Sequence, residues 1–135
     1  PMLFPSIIHD VANGYNKAFI LCEVNDIGDQ VASILNFDLE YENLREDCHI
    51  DNLIVTKGSE GCVYKQTLYP AEKVNVYDVV GAGDTFLSAL VYGYITCGDI
   101  DYSLMLGNRA AAKAVQQPGT YILTEDDIDE ILRRH

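Results

Sequence analysis

One short segment, from Tyr77 to Phe86, constrains the fold of this chain more than any other. It reads YDVVGAGDTF and places two glycines where an apolar periodicity typical of a helix begins. Glycine adopts backbone dihedrals that other residues avoid and lets a ligand approach the main chain closely. The first N–H groups of a helix have no intrahelical acceptor, and the helix macrodipole favours negative charge there. The segment therefore predicts an extended stretch, a glycine turn and a helix whose N-terminus binds phosphate.

Asp84 directly follows this predicted anion site. A carboxylate repels phosphate, but its unperturbed pKa of about 4 leaves it ionised at neutral pH, able to accept a proton from an attacking hydroxyl. An anion-binding turn beside a base is what phosphoryl transfer requires. We therefore interpret Asp84 as the candidate catalytic base and Gly81, Ala82 and Gly83 as the candidate anion hole. The alternative is an acid that only stabilises a helix N-terminus.

Three motifs in order along the chain resemble those of the ribokinase-like (PfkB) carbohydrate kinases. Asp78–Phe86 resembles the family signature, and Thr56–Gly61 resembles its nucleotide-side turn. Gly107–Val115, with Pro118–Thr120 after it, resembles the adenine-side helix and the loop that follows. The resemblance covers roughly the residues from 50 to 135, only the C-terminal half of such a kinase, and is closest to the heptose-phosphate kinases. It implies ATP and Mg²⁺ as cofactors and a sugar or sugar phosphate as the phosphoryl acceptor.

The resemblance also assigns nucleotide binding to five residues: Thr56, Gly58, Gly61, Asn108 and Gly119. Each has a simpler interpretation, namely a glycine-containing hairpin for the first three, an exposed polar residue on a helix at 108, and a plain turn at 119. Asp78 is interpreted as organising the loop, because an Asp side chain accepts hydrogen bonds from turn amides.

Residues 1–45 resemble a different protein, a piece of the nuclease domain of tailed-phage terminase large subunits. The resemblance lies in Leu3–Pro5, Ala18–Gly28 and Phe37–Asn43. It predicts a chimeric chain joined near residues 44–50, in which the sugar-binding half of the kinase is absent and kinase activity is reduced or lost. Glu23 matches a metal-binding acid of those nucleases, so a residual metal-dependent nuclease is a third hypothesis. A lone acid at a strand end, with a structural role, is the alternative.

Composition excludes several classes of function. The chain has 21 acidic against 9 basic residues and a net charge of −12, which argues against nucleic acid or an anionic membrane as a partner. No apolar run is long enough to span a membrane, and no signal peptide is visible. Four widely spaced cysteines predict reduced, mostly buried thiols in a cytoplasmic protein. The three histidines show no ligand spacing, so no metal site made by the protein alone is predicted.

Hydrophobic periodicity predicts alternating helices and strands. Strands are expected at Ala18–Cys22, Leu53–Thr56 and Gly61–Lys65, and helices over 5–16, 26–35, 84–97, 102–116 and after the N-cap Thr124. This order favours a single α/β domain over 1–135, a layered Rossmann-like or ribokinase-like half domain with helices on a small, mainly parallel sheet. Half a domain leaves a sheet edge and an apolar face uncovered, which predicts a homodimer or higher oligomer. A non-enzymatic, self-associating protein is therefore the alternative to a kinase.

Overall fold

The computed structural model describes the backbone of residues 20–23 and both the backbone and the side chains of residues 52–133. Its strands are β1 (Ile20–Glu23), β2 (Leu53–Thr56), β3 (Gly61–Tyr64) and β4 (Thr67–Pro70), and its helices are α1 (Ala82–Cys97), α2 (Ile100–Ala114) and α3 (Glu125–Arg133). A short 3-10 turn, Gly58–Glu60, joins β2 to β3. The expected helices at 5–16 and 26–35 and the expected junction at 44–50 lie outside the described residues.

The four strands form one sheet in the order β1-β2-β3-β4. β1 pairs with β2 in parallel, whereas β2 with β3 and β3 with β4 pair antiparallel. The α/β class is confirmed, but a mainly parallel arrangement is wrong for the described strands. The physical reason is the short connections: β3 and β4 are joined by Lys65 and Gln66, which both have positive φ (47° and 66°). Such a two-residue turn allows only an antiparallel hairpin.

The core lies between this sheet and the first two helices. Side chains from β2 and β3 meet side chains from α1 and α2 in one buried cluster: Ile54, Cys62, Tyr64, Phe86, Leu90 and Leu104. The two helices approach closely at Gly107, where an added Cβ would lie 2.8 Å from two ring carbons of Phe86. This packing holds the start of α1 against the rest of the described domain.

The helix ends follow local sequence signals. α1 ends at Gly98, whose φ of 69° gives the left-handed cap expected from the sequence. Asp99 then caps α2 by accepting a hydrogen bond from the Tyr102 N–H at 3.1 Å, so α2 begins two residues before its expected start. The expected cap at Thr124 is confirmed, since its Oγ1 accepts from the Asp127 N–H at 3.2 Å. Asp127 Oδ2 accepts from the Thr124 N–H at 3.0 Å, which completes a reciprocal capping box.

Candidate active site

The glycine turn before α1 has a defined geometry. The Ala82 N–H donates to the Val79 carbonyl at 3.2 Å, and Gly81, the third residue of this four-residue turn, has φ 80° and ψ 0°. A type II turn needs positive φ at this position, which glycine adopts without steric cost. The requirement for glycine at 81 is therefore set by the turn itself.

Main-chain N–H groups at the start of α1 are available to donate hydrogen bonds to a ligand. The Thr85 N–H and the Thr85 hydroxyl each donate to the Gly81 carbonyl at 3.0 Å. Gly81 is the N-cap of α1 and has no side chain to accept from the first N–H groups of the helix. The N–H groups of Gly83 and Asp84 lie in the first turn of α1, where helix geometry provides no acceptor. The Ala82 N–H donates to the Val79 carbonyl, which leaves the Gly83 and Asp84 N–H groups as donors at the start of α1. The anion hole expected at Gly81, Ala82 and Gly83 stays a prediction.

Asp84 presents its side chain to solvent at the same helix start. Its carbonyl oxygen accepts from the Ser88 hydroxyl at 2.8 Å, an ordinary contact within the helix. A carboxylate that is exposed beside main-chain donors can reach a bound substrate. The geometry at this residue is compatible with a general base, and its role stays a prediction.

Asp78 organises the turn, as expected. Its Oδ1 accepts from the Val80 N–H at 3.0 Å and its Oδ2 from the Gly119 N–H at 2.9 Å. These two donors lower the pKa of the Asp78 carboxyl below its usual value. The main chain at this point is also fixed, since the N–H groups of Tyr77 and Asp78 both donate to the Val115 carbonyl, at 2.7 and 3.1 Å.

The structure brings the expected residue Gly119 to the glycine turn. Gly119 has φ 67°, and the next residue, Thr120, lies against Gly81: a Cβ added at Gly81 would be 3.1 Å from the Thr120 methyl carbon. The sequence predicted neither the contact of Thr120 with Gly81 nor the hydrogen bonds of Tyr77 and Asp78 to the Val115 carbonyl. A methyl group and a main-chain oxygen carry no sequence signal for such contacts.

The two glycines of the Thr56–Gly61 turn differ in how closely the surrounding structure packs against them. Gly58 has φ 53° and would meet nothing within 4 Å if it carried a Cβ, so this position is open to a ligand. Gly61 is buried with φ 110°, and its Cβ would lie 2.1 Å from the Tyr69 carbonyl oxygen. Close approach to the β4 backbone thus accounts for glycine at 61 without a nucleotide. Thr56 is half-buried at the end of β2.

Asn108 faces the sheet rather than the glycine turn. It is only 6% exposed, and its Nδ2 donates to the Tyr69 carbonyl at 2.8 Å and the Pro70 carbonyl at 3.4 Å. The interpretation of an exposed polar residue is therefore wrong. These contacts join α2 to β4 and give Asn108 a structural task, and nucleotide binding at this position stays an untested prediction.

A shallow cavity of about 160 Å³ lies elsewhere, beside α2 and α3, and contains none of the expected site residues. Its lining residues are Glu72, Val74, Arg109, Lys113, Gln116, Glu130 and Ile131. The Lys113 ammonium lies 3.1 Å from Asp127 and 2.7 Å from Glu130, and Arg109 lies 3.9 Å from Glu72. These ion pairs account for the charges in the cavity, so we do not assign it as the active site.

The magnesium ion that the kinase resemblance implies stays a prediction. Within residues 52–133, no group of three or more His, Cys, Asp or Glu side chains is arranged to hold a metal ion. Mg²⁺ in nucleotide sites is commonly held by one or two carboxylates together with substrate phosphates. Asp84 provides one exposed carboxylate at the proposed phosphate position. Nothing is described of the Glu23 side chain, so the nuclease hypothesis stays untested.

Of the cysteines described with side chains, both are free thiols; Cys62 is buried and Cys97 exposed. Burial raises the pKa of Cys62 to about 11, which disfavours its reactive thiolate form. Within this part of the chain, no helix has the length and apolar character required to cross a bilayer.

Comparison with solved structures defines the class of fold. An aminoimidazole riboside kinase from Salmonella enterica, solved with aminoimidazole riboside and an ATP analogue, matches with a TM-score of 0.70 and 21% identity, over 96% of this chain and 46% of that chain. A fructokinase from Vibrio cholerae, solved with fructose, ADP and calcium, matches with a TM-score of 0.55 and 26% identity, over 60% of this chain and 30% of that chain. The fold is therefore ribokinase-like.

Sequence comparison gives the family. The pfkB family of carbohydrate kinases matches residues 28–127, and this chain belongs to that family. The bifunctional protein HldE of Nitrosococcus oceani is 31% identical over 96 residues, which are 67% of this chain but 20% of that protein. The chain thus spans about a fifth of the length of this relative.

The comparisons support the resemblance to carbohydrate kinases but not the resemblance to terminase nucleases. The match to the PfkB family confirms the kinase resemblance, and it begins at residue 28, within the segment 1–45. None of the matches given above is to a terminase, so the nuclease resemblance of that segment is not shown. The chimeric junction near 44–50 stays a prediction.

Proposed function

We propose that this chain carries the phosphate-binding turn and catalytic base of an ATP-dependent sugar kinase. The observation that carries the proposal is the start of α1, where the N–H groups of Gly83 and Asp84 lack an intrahelical acceptor and the Asp84 carboxylate is exposed. Membership of the PfkB family supplies the reaction class. The acceptor is a sugar or sugar phosphate, with a heptose phosphate as the first candidate from the sequence resemblance.

In the proposed reaction, main-chain N–H groups stabilise the phosphate and the Asp84 carboxylate acts as the base. ATP supplies the phosphoryl group, and the Gly83 and Asp84 N–H groups stabilise negative charge on its terminal phosphate. The Asp84 carboxylate accepts the proton of the attacking sugar hydroxyl. The exposed position of Gly58 offers a second main-chain contact for the nucleotide.

We further propose that efficient turnover needs groups beyond this chain, because the chain covers 20% to 46% of the relatives compared above. A coupled phosphotransfer assay with a heptose phosphate, fructose phosphate and ribose tests the activity. Turnover that disappears in Asp84→Asn would show that the chain suffices. Binding of Mg-ATP without turnover would support a binding half, and neither binding nor turnover would contradict the proposal.

A non-enzymatic, self-associating protein is the second candidate, and one observation favours it. Four apolar side chains of α1 form an exposed stripe, with exposed fractions of 41% for Leu87, 43% for Val91, 40% for Tyr94 and 78% for Ile95. A large exposed apolar patch marks an interaction surface. We propose a homodimer or higher oligomer that covers this α1 stripe, and light scattering at micromolar concentration tests it.

We also propose a cytoplasmic location for the chain, because the thiols of Cys62 and Cys97 are free.

A further inference from the structure

We infer that Asp78 is a positioning residue: its carboxylate holds the Gly119–Thr120 loop against the glycine turn and so sets the geometry of the phosphate site. The inference rests on the proposed function, since it assigns a task to a side chain that accepts from Val80 and Gly119 and not from the proposed phosphate-binding N–H groups. Three observations carry it.

The first observation is that the two carboxylate oxygens serve two different loops. Oδ1 accepts from the Val80 N–H at 3.0 Å, one residue before Gly81, and Oδ2 accepts from the Gly119 N–H at 2.9 Å. The second bond joins residues 41 positions apart in the chain. Hydrogen bonds to an ionised acceptor are roughly twice as strong as neutral ones. One side chain therefore ties the turn to the loop.

The second observation is that the position of Asp78 itself is fixed. The N–H groups of Tyr77 and Asp78 both donate to the carbonyl of Val115, just after α2 ends. The backbone that carries the carboxylate is thus attached to the rigid helix α2. The Gly119–Thr120 loop is therefore linked to α2 by hydrogen bonds through Asp78, in addition to its covalent connection along the chain.

The third observation is the close contact that results. The Thr120 methyl carbon lies 3.1 Å from the position that a Cβ at Gly81 would occupy, so the loop contacts the turn directly. Gly81 is the residue immediately before α1, two positions ahead of the Gly83 N–H. If the loop moved away, the turn would lose the surface that limits its conformations. A misplacement of about 1 Å in a catalytic site costs up to about 100-fold in rate.

Titration of Mg-ATP into the whole chain, combined with amide NMR spectra, tests this role. We expect Asp78→Ala to raise the dissociation constant for Mg-ATP roughly 10- to 100-fold, the range that corresponds to the loss of a hydrogen bond to a charged group. The amide resonances of Gly81, Gly83, Gly119 and Thr120 should shift together. Asp78→Asn keeps one carbonyl acceptor but brings an NH₂ group toward a main-chain donor, so its effect should be intermediate. The matched control is Thr124→Ala, which loses the cap of α3 but leaves both bonds of Asp78 in place.

The outcomes separate this inference from the proposed function. A parent chain that binds Mg-ATP and an Asp78→Ala chain that binds it equally well would overturn the positioning role alone. An equal loss of affinity in Asp78→Ala and Thr124→Ala would also overturn it, because general destabilisation would then be the cause. A parent chain that binds no Mg-ATP would contradict the proposed function, and with it the role of Asp78.

Discussion

Gly61 and Gly58 lie in the same turn, yet the structure requires glycine at them to different degrees. At Gly61, φ is 110° and an added Cβ would lie 2.1 Å from a main-chain oxygen of β4. At Gly58, φ is 53° and the space around the position is open. Backbone packing therefore explains the first glycine, while the second is constrained only by its dihedral.

We predict that Gly61→Ala destabilises the chain by about 3 kcal/mol, because both the dihedral and the β4 backbone must shift. The control, Gly58→Ala, should cost only about 1 kcal/mol, the penalty for a left-handed conformation. Urea unfolding measures both free energies. Equal losses in the two variants would contradict the assignment of Gly61 to packing.

The capping box of α3 should make stability depend on pH. The Thr124 N–H and the Tyr121 hydroxyl donate to the Asp127 carboxylate, at 3.0 and 2.7 Å, and lower its pKa below the usual value. A group whose pKa is lowered on folding stabilises the fold above its unfolded pKa, about 3.9, and loses that contribution as the pH falls through its folded value.

We therefore expect the free energy of unfolding of the parent to fall more steeply below about pH 4 than that of Asp127→Asn. The variant should also be less stable at pH 7, by about 1–3 kcal/mol, because an amide oxygen replaces the ionised acceptor and an NH₂ group takes the place of the second oxygen. Asp129→Asn is the control, because the Asp129–Arg133 pair is 61% and 79% exposed and should contribute little. Parallel pH profiles for the parent and Asp127→Asn would refute the prediction.

At the residue scale, sequence predicted the turn better than the tertiary contacts. Asp78 was identified as a loop organiser because its bond to the Val80 N–H is local. The bond to Gly119 and the burial of Asn108 against Tyr69 depend on residues 41 and 39 positions away, respectively. No local pattern encodes such partners, so the sequence predicted neither contact.

Hydrophobic periodicity and local end signals predicted most of the described helices and strands. β2, the β2–β3 hairpin, α1 with its Gly98 cap and α3 with its Thr124 cap were all predicted, because each has a local signal at its ends. β4 was missed because Thr67–Pro70 is largely exposed and ends in proline, so it shows neither a buried face nor an alternation. The sheet direction was wrong because it depends on turn geometry.

The contact between α1 and α2 depends on the absence of a side chain at Gly107. An added Cβ would lie 2.8 Å from the Phe86 ring and 3.1 Å from the Phe86 carbonyl oxygen. We predict that Gly107→Ala destabilises the chain by about 1–3 kcal/mol through overpacking, although alanine is the better helix former. Thermal unfolding measures the effect, and a gain in stability would show that the helices adjust freely. The difference between Met105→Ala and Met105→Gly, at an exposed site on the same helix, controls for helix propensity.

The whole molecule combines a packed core with an uncovered helix face. The α1 stripe is apolar and exposed, while the chain carries a net charge of −12. Apolar burial favours association of copies, and like charge opposes it. The balance makes association dependent on salt, because salt screens the repulsion and leaves the apolar contact intact.

We predict that Ile95→Asp shifts the chain toward monomer by placing a charge in the α1 stripe. Ile122→Asp is the matched control, since Ile122 is 84% exposed, against 78% for Ile95, and lies outside α1. Light scattering across a concentration series measures the mass. A parent that remains monomeric at all concentrations, or two variants that behave alike, would contradict a role for the stripe.

Calorimetric titration with Mg-ATP measures whether the start of α1 binds the terminal phosphate of a nucleotide, on which the proposed kinase function depends. Gly83→Val places a branched side chain beside the main-chain donors, whereas Asp84→Asn removes the base and leaves the N–H groups. We predict that the parent and Asp84→Asn bind Mg-ATP and that Gly83→Val does not. Equal binding by the parent and Gly83→Val, or no binding by the parent, would contradict it.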